Sequence, residues 1–220
     1  MKKKHTQLRI PERLAYPKDE KKVQWLSLLL EIYYLADKSV YEGLRKELKK
    51  GKILACACGC SNCCSTHTTI PVYPLEMIGL YWYVIEKISG KRRYQIQSQL
   101  HDFSIGNSCP FLVNERCGIH PMRPMACRFF NVFSKSCLEK EDPFYTRRYD
   151  VFTPNEATKN KAIARMLPFH GIVGKEQQEN AIKSGSLNET IQNLHEIDWQ
   201  NLSERMKRTP HDHNCKTKGC

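Results

Sequence analysis

Cys56-Ala57-Cys58-Gly59-Cys60-Ser61-Asn62-Cys63-Cys64 places five cysteines in nine residues, and the reading of this stretch decides what kind of core the chain builds. Two residues between Cys60 and Cys63 let the backbone fold back so that two thiolates meet one metal. Gly59 and Asn62 tolerate the tight geometry that this requires, and their amides can donate hydrogen bonds to sulfur. Buried free cysteine acting as a small hydrophobe would account for one or two such residues. It does not account for a cluster set among glycine and proline, which points to metal.

The cluster has a second half downstream. Cys109-Pro110-Phe111-Leu112 is followed by Cys117-Gly118-Ile119-His120, then by Arg123-Pro124-Met125-Ala126-Cys127-Arg128-Phe129, and finally by Cys137. On these residues the chain resembles the YkgJ-type cysteine-cluster proteins, whose pattern is C-x3-C-x2-C-C, C-P-x-L, C-x-I-[YH]-x2-R-P-x2-C-R and one further cysteine. The matching positions are Cys56, Cys60, Cys63, Cys64, Cys109, Cys117, Arg123, Pro124, Cys127, Arg128 and Cys137. His120 replaces the more usual tyrosine, and Cys58 is additional.

The resemblance implies a metal-binding domain with those eight cysteines as ligands. The family is described as chelating zinc or iron, and it includes flagellin lysine N-methylases, which look like iron–sulfur proteins using S-adenosylmethionine. It therefore implies an iron–sulfur cluster, of the 4Fe–4S kind, or zinc, with S-adenosylmethionine as a further cofactor and a protein as substrate or partner. Spacing alone leaves zinc and iron–sulfur open. So two functions stand side by side: a protein-modifying or redox enzyme, and a structural zinc module for protein interaction.

Three finer expectations follow. Neighbouring side chains such as Cys63 and Cys64 point apart in most backbone conformations, so they should serve different sites, or one as ligand and one as a packing residue, rather than chelate one zinc. Arg123 and Arg128 are cofactor-binding candidates, able to donate to thiolates or bind an anion, with a structural ion pair as the alternative. His120 is expected beside the metal rather than on it. The spacing of Cys56, Cys60 and Cys63 is also that of radical S-adenosylmethionine enzymes. Asn62 stands where an aromatic residue is usual there, and no alternating strand–helix pattern follows, so only a distant analogy remains.

Eleven cysteines in 220 residues fit a reducing compartment better as ligands than as disulfides. Met1-Lys2-Lys3-Lys4-His5 has no apolar run behind it, so a leader is not expected and the chain reads as cytoplasmic. Leu26 to Ala36 is too short and too charged for a membrane span. The formal charge of +12 would partly balance an anionic metal site. Arg45 to Lys52 and Lys91-Arg92-Arg93 read as a solvated helix end and a basic loop. Nucleic acid is not an expected partner, because no recognition motif accompanies the charge.

The expected fold is mainly α, with irregular cysteine-rich loops and a short β-hairpin. Residues 1–51 form an N-terminal helical segment, 52–140 the metal-binding core, 141–208 a C-terminal helical segment, and 209–220 a flexible tail. Apolar spacing predicts helix over Lys21 to Lys50, as one piece or as two broken near Asp37–Ser39, and again over Leu75 to Ile88. A tight hairpin is expected at Asn114-Glu115. Thr153-Pro154-Asn155-Glu156 and Ser186-Leu187-Asn188-Glu189 read as helix starts, the second running on through Ile191, Leu194 and Ile197. His211, His213, Cys215 and Cys220 read as incidental ligands on a loose tail.

Overall fold

The structure, a computed structural model, describes residues 8–209; the histidines and cysteines of the tail lie outside the described residues. It is mainly helical. A short helix α1 (Pro17–Glu20) leads into α2 (Gln24–Lys49), the long central helix. Leu26, Leu29, Leu30, Tyr33, Val40 and Leu44 fall on one buried stripe of α2, which is the apolar periodicity that makes a helix worth burying. Of the two readings of 21–50, the unbroken helix is the one that forms.

After the first cysteines come α3 (Asn62–Thr66), strand β1 (Pro71–Val72), α4 (Pro74–Glu86) and α5 (Gly90–His101). Proline at the first position of α4 and Glu76 reaching back to the Tyr73 amide (3.2 Å) start that helix. Gly79 lets α4 lie directly on α2, since a Cβ there would overlap Leu29 Cδ2. The hairpin forms as expected, β2 (Leu112–Val113) pairing with β3 (Arg116–Cys117). Its two turn residues, Asn114 and Glu115, both have positive φ (49° and 59°), the requirement of a type I′ turn. Next follow α6 (Met125–Phe129), α7 (Pro143–Thr146), α8 (Glu156–Met166), α9 (Lys175–Ser184), β4 (Gln192–Asn193) and α10 (Trp199–Arg208). α2 touches α1, α4, α6 and α8, and α5 and α10 pack together beside α4. The main apolar core draws on α2, α4, α5, α6, α8 and α10, from Leu26 through Leu75 and Ile96 to Trp199. Among the described residues no helix is long and apolar enough to cross a membrane.

Three expectations are corrected. Lys91-Arg92-Arg93 is the first turn of α5, and Arg93 is buried. Its guanidinium donates to the carbonyls of Val84, Ile85 and Ile88 at the end of α4 and of Met206 and Thr209 at the end of α10 (2.8–3.2 Å). One cation thus satisfies the free carbonyls of two helix ends. The cap of α8 is Asn155, which accepts from the Thr158 amide, rather than Thr153. Ser186 opens only a short 3₁₀ turn to Thr190. The chain then extends as β4, pairing antiparallel with β1, Val72 opposite Gln192. A strand partner more than a hundred residues away overrides the local helix signal.

Candidate metal centre

The cysteines arrive on four separate pieces of chain. Leu54 bridges to Phe133, and the Ala55 amide donates to the Val132 carbonyl at 2.8 Å. Next in line, the Val132 amide donates to Cys56 Sγ at 3.3 Å, an N–H aimed at sulfur of the kind that stabilises a thiolate. Gly59, at φ +83°, makes the turn that brings the Cys60 amide onto the Ala57 carbonyl. α3 then carries Cys63 and Cys64. The Asn62 side chain donates to the Glu141 carbonyl (3.3 Å) rather than to sulfur. Cys109 is joined to this helix by its amide, 2.7 Å from the Cys64 carbonyl. Cys117 sits on β3, Cys127 on α6, and Cys137 on the loop before α7.

The eight thiols of the expected ligand set are near enough to influence one another. Cys64 shares thiol hydrogen bonds with Cys109 and Cys63, and its field also reaches Cys117; the field of Cys127 reaches Cys63, Cys117 and Cys64. The field of Cys56 reaches Cys60, Cys63 and Cys137. Cys56, Cys60 and Cys137 line a small cavity of about 50 Å³ with Val132 and Asn62. Cys63 influences both Cys56 and Cys64, and Cys58 and Cys60 are both exposed. Among the described residues no three cysteine, histidine or acidic side chains are set around a single ion position. The sulfurs are gathered as neighbouring thiols, not as a finished coordination shell.

Their protonation fits that description. Burial raises the Cys56 thiol to about 11. The hydrogen bond with Cys109, and then burial, lifts Cys64 to about 12. The bond with Cys64, followed by burial, pushes Cys63 up further, and burial is the main cause at Cys117, Cys127 and Cys137. A metal entering here must displace these protons.

Cations are built in around the thiols. Arg123 opposes the rise at Cys63, Cys117 and Cys127. Its Nη1 lies 3.1 Å from His120 Nε2, while its Nε is buried with no partner among the described residues. Burial first, and then Arg123, hold His120 down at about 4, so the imidazole is neutral and can accept from the guanidinium. Arg128 takes the ion-pair role. It is buried, bonds Asp37 (2.6 Å) and the Arg123 and Pro121 carbonyls, and lies 4.0 Å over the Tyr33 ring. These bonds take up three of its five N–H donors.

Sequence reasoning missed three residues here. Arg147 is buried between Glu141 (2.8 Å) and Asp150 (3.0 Å), and its Nη2 lies 3.7 Å from Cys137 Sγ. Nothing local in the sequence signals it. Glu76 is wholly buried; besides starting α4, its Oε1 accepts from the Met125 amide at 2.7 Å, which fixes the start of the helix bearing Cys127. The Tyr73-Pro74-x-Glu76 capping signal could have drawn attention to it. His67 lies edge-on to Phe130 (ring centres 4.3 Å apart) and 3.2 Å from Asp142 without hydrogen-bond alignment.

Residues 55–151, a little under half the chain, match the CxxCxxCC family model, described as a "putative zinc- or iron-chelating domain". This is the cysteine-cluster family that the sequence resembles. No curated protein and no solved structure matches the chain.

Proposed function

From a chain that carries this zinc- or iron-chelating cysteine-cluster domain, we propose a metal-binding protein with two thiolate sites. Cys56, Cys60, Cys63 and Cys137 hold one, and Cys64, Cys109, Cys117 and Cys127 hold the other. The observation that supports this reading is the mutual reach of the eight thiols: Cys56, Cys60 and Cys137 line one small cavity, Cys64, Cys109, Cys117 and Cys127 are linked through their fields, and Cys63, which reaches both sets, is assigned to the first. The donor set fits the group: soft sulfur ligands suit zinc and iron–sulfur clusters alike, and either centre with four thiolates is anionic. The unpartnered buried Arg123 Nε and the Arg147 Nη2 beside Cys137 supply hydrogen bonds and positive charge to such anions.

Zinc would supply rigid organisation of the loops, whereas an iron–sulfur cluster would in addition take up and release an electron. The protein's own part is to deliver deprotonated sulfur, to aim the Val132 amide at Cys56, and to keep a neutral His120 behind Arg123. Four thiolates per site leave no open position for S-adenosylmethionine. The reading is therefore a structural or electron-carrying centre that presents its loops to a protein partner.

Elemental analysis and a visible spectrum after anaerobic purification separate zinc from iron–sulfur. Single serine variants test the ligands. Cys60→Ser and Cys127→Ser should each lose about half the metal, because a hydroxyl is a poor ligand for a soft site, while Cys58→Ser should keep all of it. Equal loss in Cys58→Ser and Cys60→Ser would overturn the assignment.

A further inference from the structure

The basic run that the cysteine chemistry leaves unused, Arg45 to Lys52, does not simply face solvent. Lys46, Lys50 and Lys52 line a cleft of about 690 Å³, and Lys161 of α8 and Arg148 converge on it from elsewhere in the chain. The volume is that of a site for a small molecule. Two carboxylates also line it. Glu47 is already paired with Lys50 and Lys52, at 2.7 Å each, which holds its carboxyl down at about 2; Glu42 is the other. Lys46 and Lys161 are exposed and make no ion pair among the described residues. A solvated helix end would bring one row of lysines. Here cations from α2, from the loop after α7 and from α8 share one concave surface, and like charges gathered in this way favour an anion of several charges.

A ring can be bound at the rim. Tyr149 lines the cleft and is 81% exposed, so its ring face is open to a flat ligand. Phe133 and Phe152 form the floor and are buried, so they shape the cleft without offering a free face. The α2 and α8 walls lie outside the region matched by the family model, and no cysteine lines the cleft.

We propose that this cleft binds a nucleoside di- or triphosphate, its phosphates among Lys46, Lys161 and Arg148 and its base on Tyr149. The site is independent of the metal reading, and its test uses the metal-loaded protein. Titration calorimetry at low ionic strength compares inorganic pyrophosphate, ADP and adenosine. Pyrophosphate should bind, ADP more tightly, and adenosine not measurably. Lys46→Gln with Lys161→Gln should weaken ADP by about tenfold or more, the usual loss when charged contacts to a phosphate are removed. Lys175→Gln with Lys183→Gln, an equal charge change on α9, which does not line the cleft, should leave binding as it was. Tyr149→Ala should bring ADP to the affinity of pyrophosphate. All five positions are exposed, so the variants should fold. No binding of pyrophosphate or ADP, or an equal loss from the α9 pair, would overturn the proposal, as would ADP binding that ignores Tyr149.

Discussion

α2 and α4 meet through Leu26, Leu29, Leu75 and Leu80, each without solvent contact, whereas the loops between Cys56 and Arg147 meet through guanidinium and carboxylate groups. Arg128 ties Asp37 to two carbonyls of the 121–123 turn. Arg147 ties Glu141 to Asp150 and to the Phe133 carbonyl. Glu76 reaches from α4 to the start of α6. Apolar contact is non-directional and tolerates small errors of placement. Buried polar contact holds only when every partner is present, and a missing partner is costly. The helical frame can therefore stand without ligand, and the cysteine loops should depend on one. Removing parts of the loop machinery tests this difference.

Removing the metal should have the largest effect. In verified metal-free protein, amide exchange and proteolysis should accelerate over residues 52–74 and 101–140, while the far-ultraviolet helix signal largely persists. An unchanged melting temperature and cleavage pattern would show that the loops need no ion.

Breaking one buried clamp comes next. Arg128→Met should cost about 4 kcal/mol in urea unfolding, since it strips the Pro121 and Arg123 carbonyls of their donor and leaves Asp37 unpaired. A loss below about 1 kcal/mol would place Arg128 among ordinary surface ion pairs.

The smallest effect is one of pH. Burial raises the Glu76 carboxyl from 4.5 to about 7. Between those values the folded protein keeps a proton that the unfolded chain has released, so this group's contribution to stability falls as pH rises through the window and levels off above it. The swing is on the order of 3 kcal/mol. The lowered histidines His67, His120, His170 and His195 act in the opposite sense below 6.5. The informative quantity is therefore the difference between the parent protein and Glu76→Gln across unfolding series at several pH values. A difference that does not change with pH would remove Glu76 from this role.

The ligand candidates, the long α2, α4 and the 114–115 turn were legible because each rests on neighbours in sequence: cysteine spacing, a repeat of apolar residues, a pair suited to positive φ. α5 and α9 were not, because their exposed faces are polar and weaken the periodic signal. Arg93 looked like one cation of a basic loop, since the five carbonyls that bury it come together only in three dimensions. The same holds for Arg147 and for the β1–β4 pairing that displaced a well-formed capping box at Ser186. The family resemblance named the cysteines without saying which of them are neighbours.

The Arg93 clamp also sets an order of assembly. Two of its five acceptors, the Met206 and Thr209 carbonyls, are translated more than a hundred residues after the guanidinium they receive. Until α10 has emerged, Arg93 has three of its five acceptors. The socket between α4, α5 and α10 can therefore close only once α10 has been made, after all eight candidate ligands from Cys56 to Cys137 have been translated.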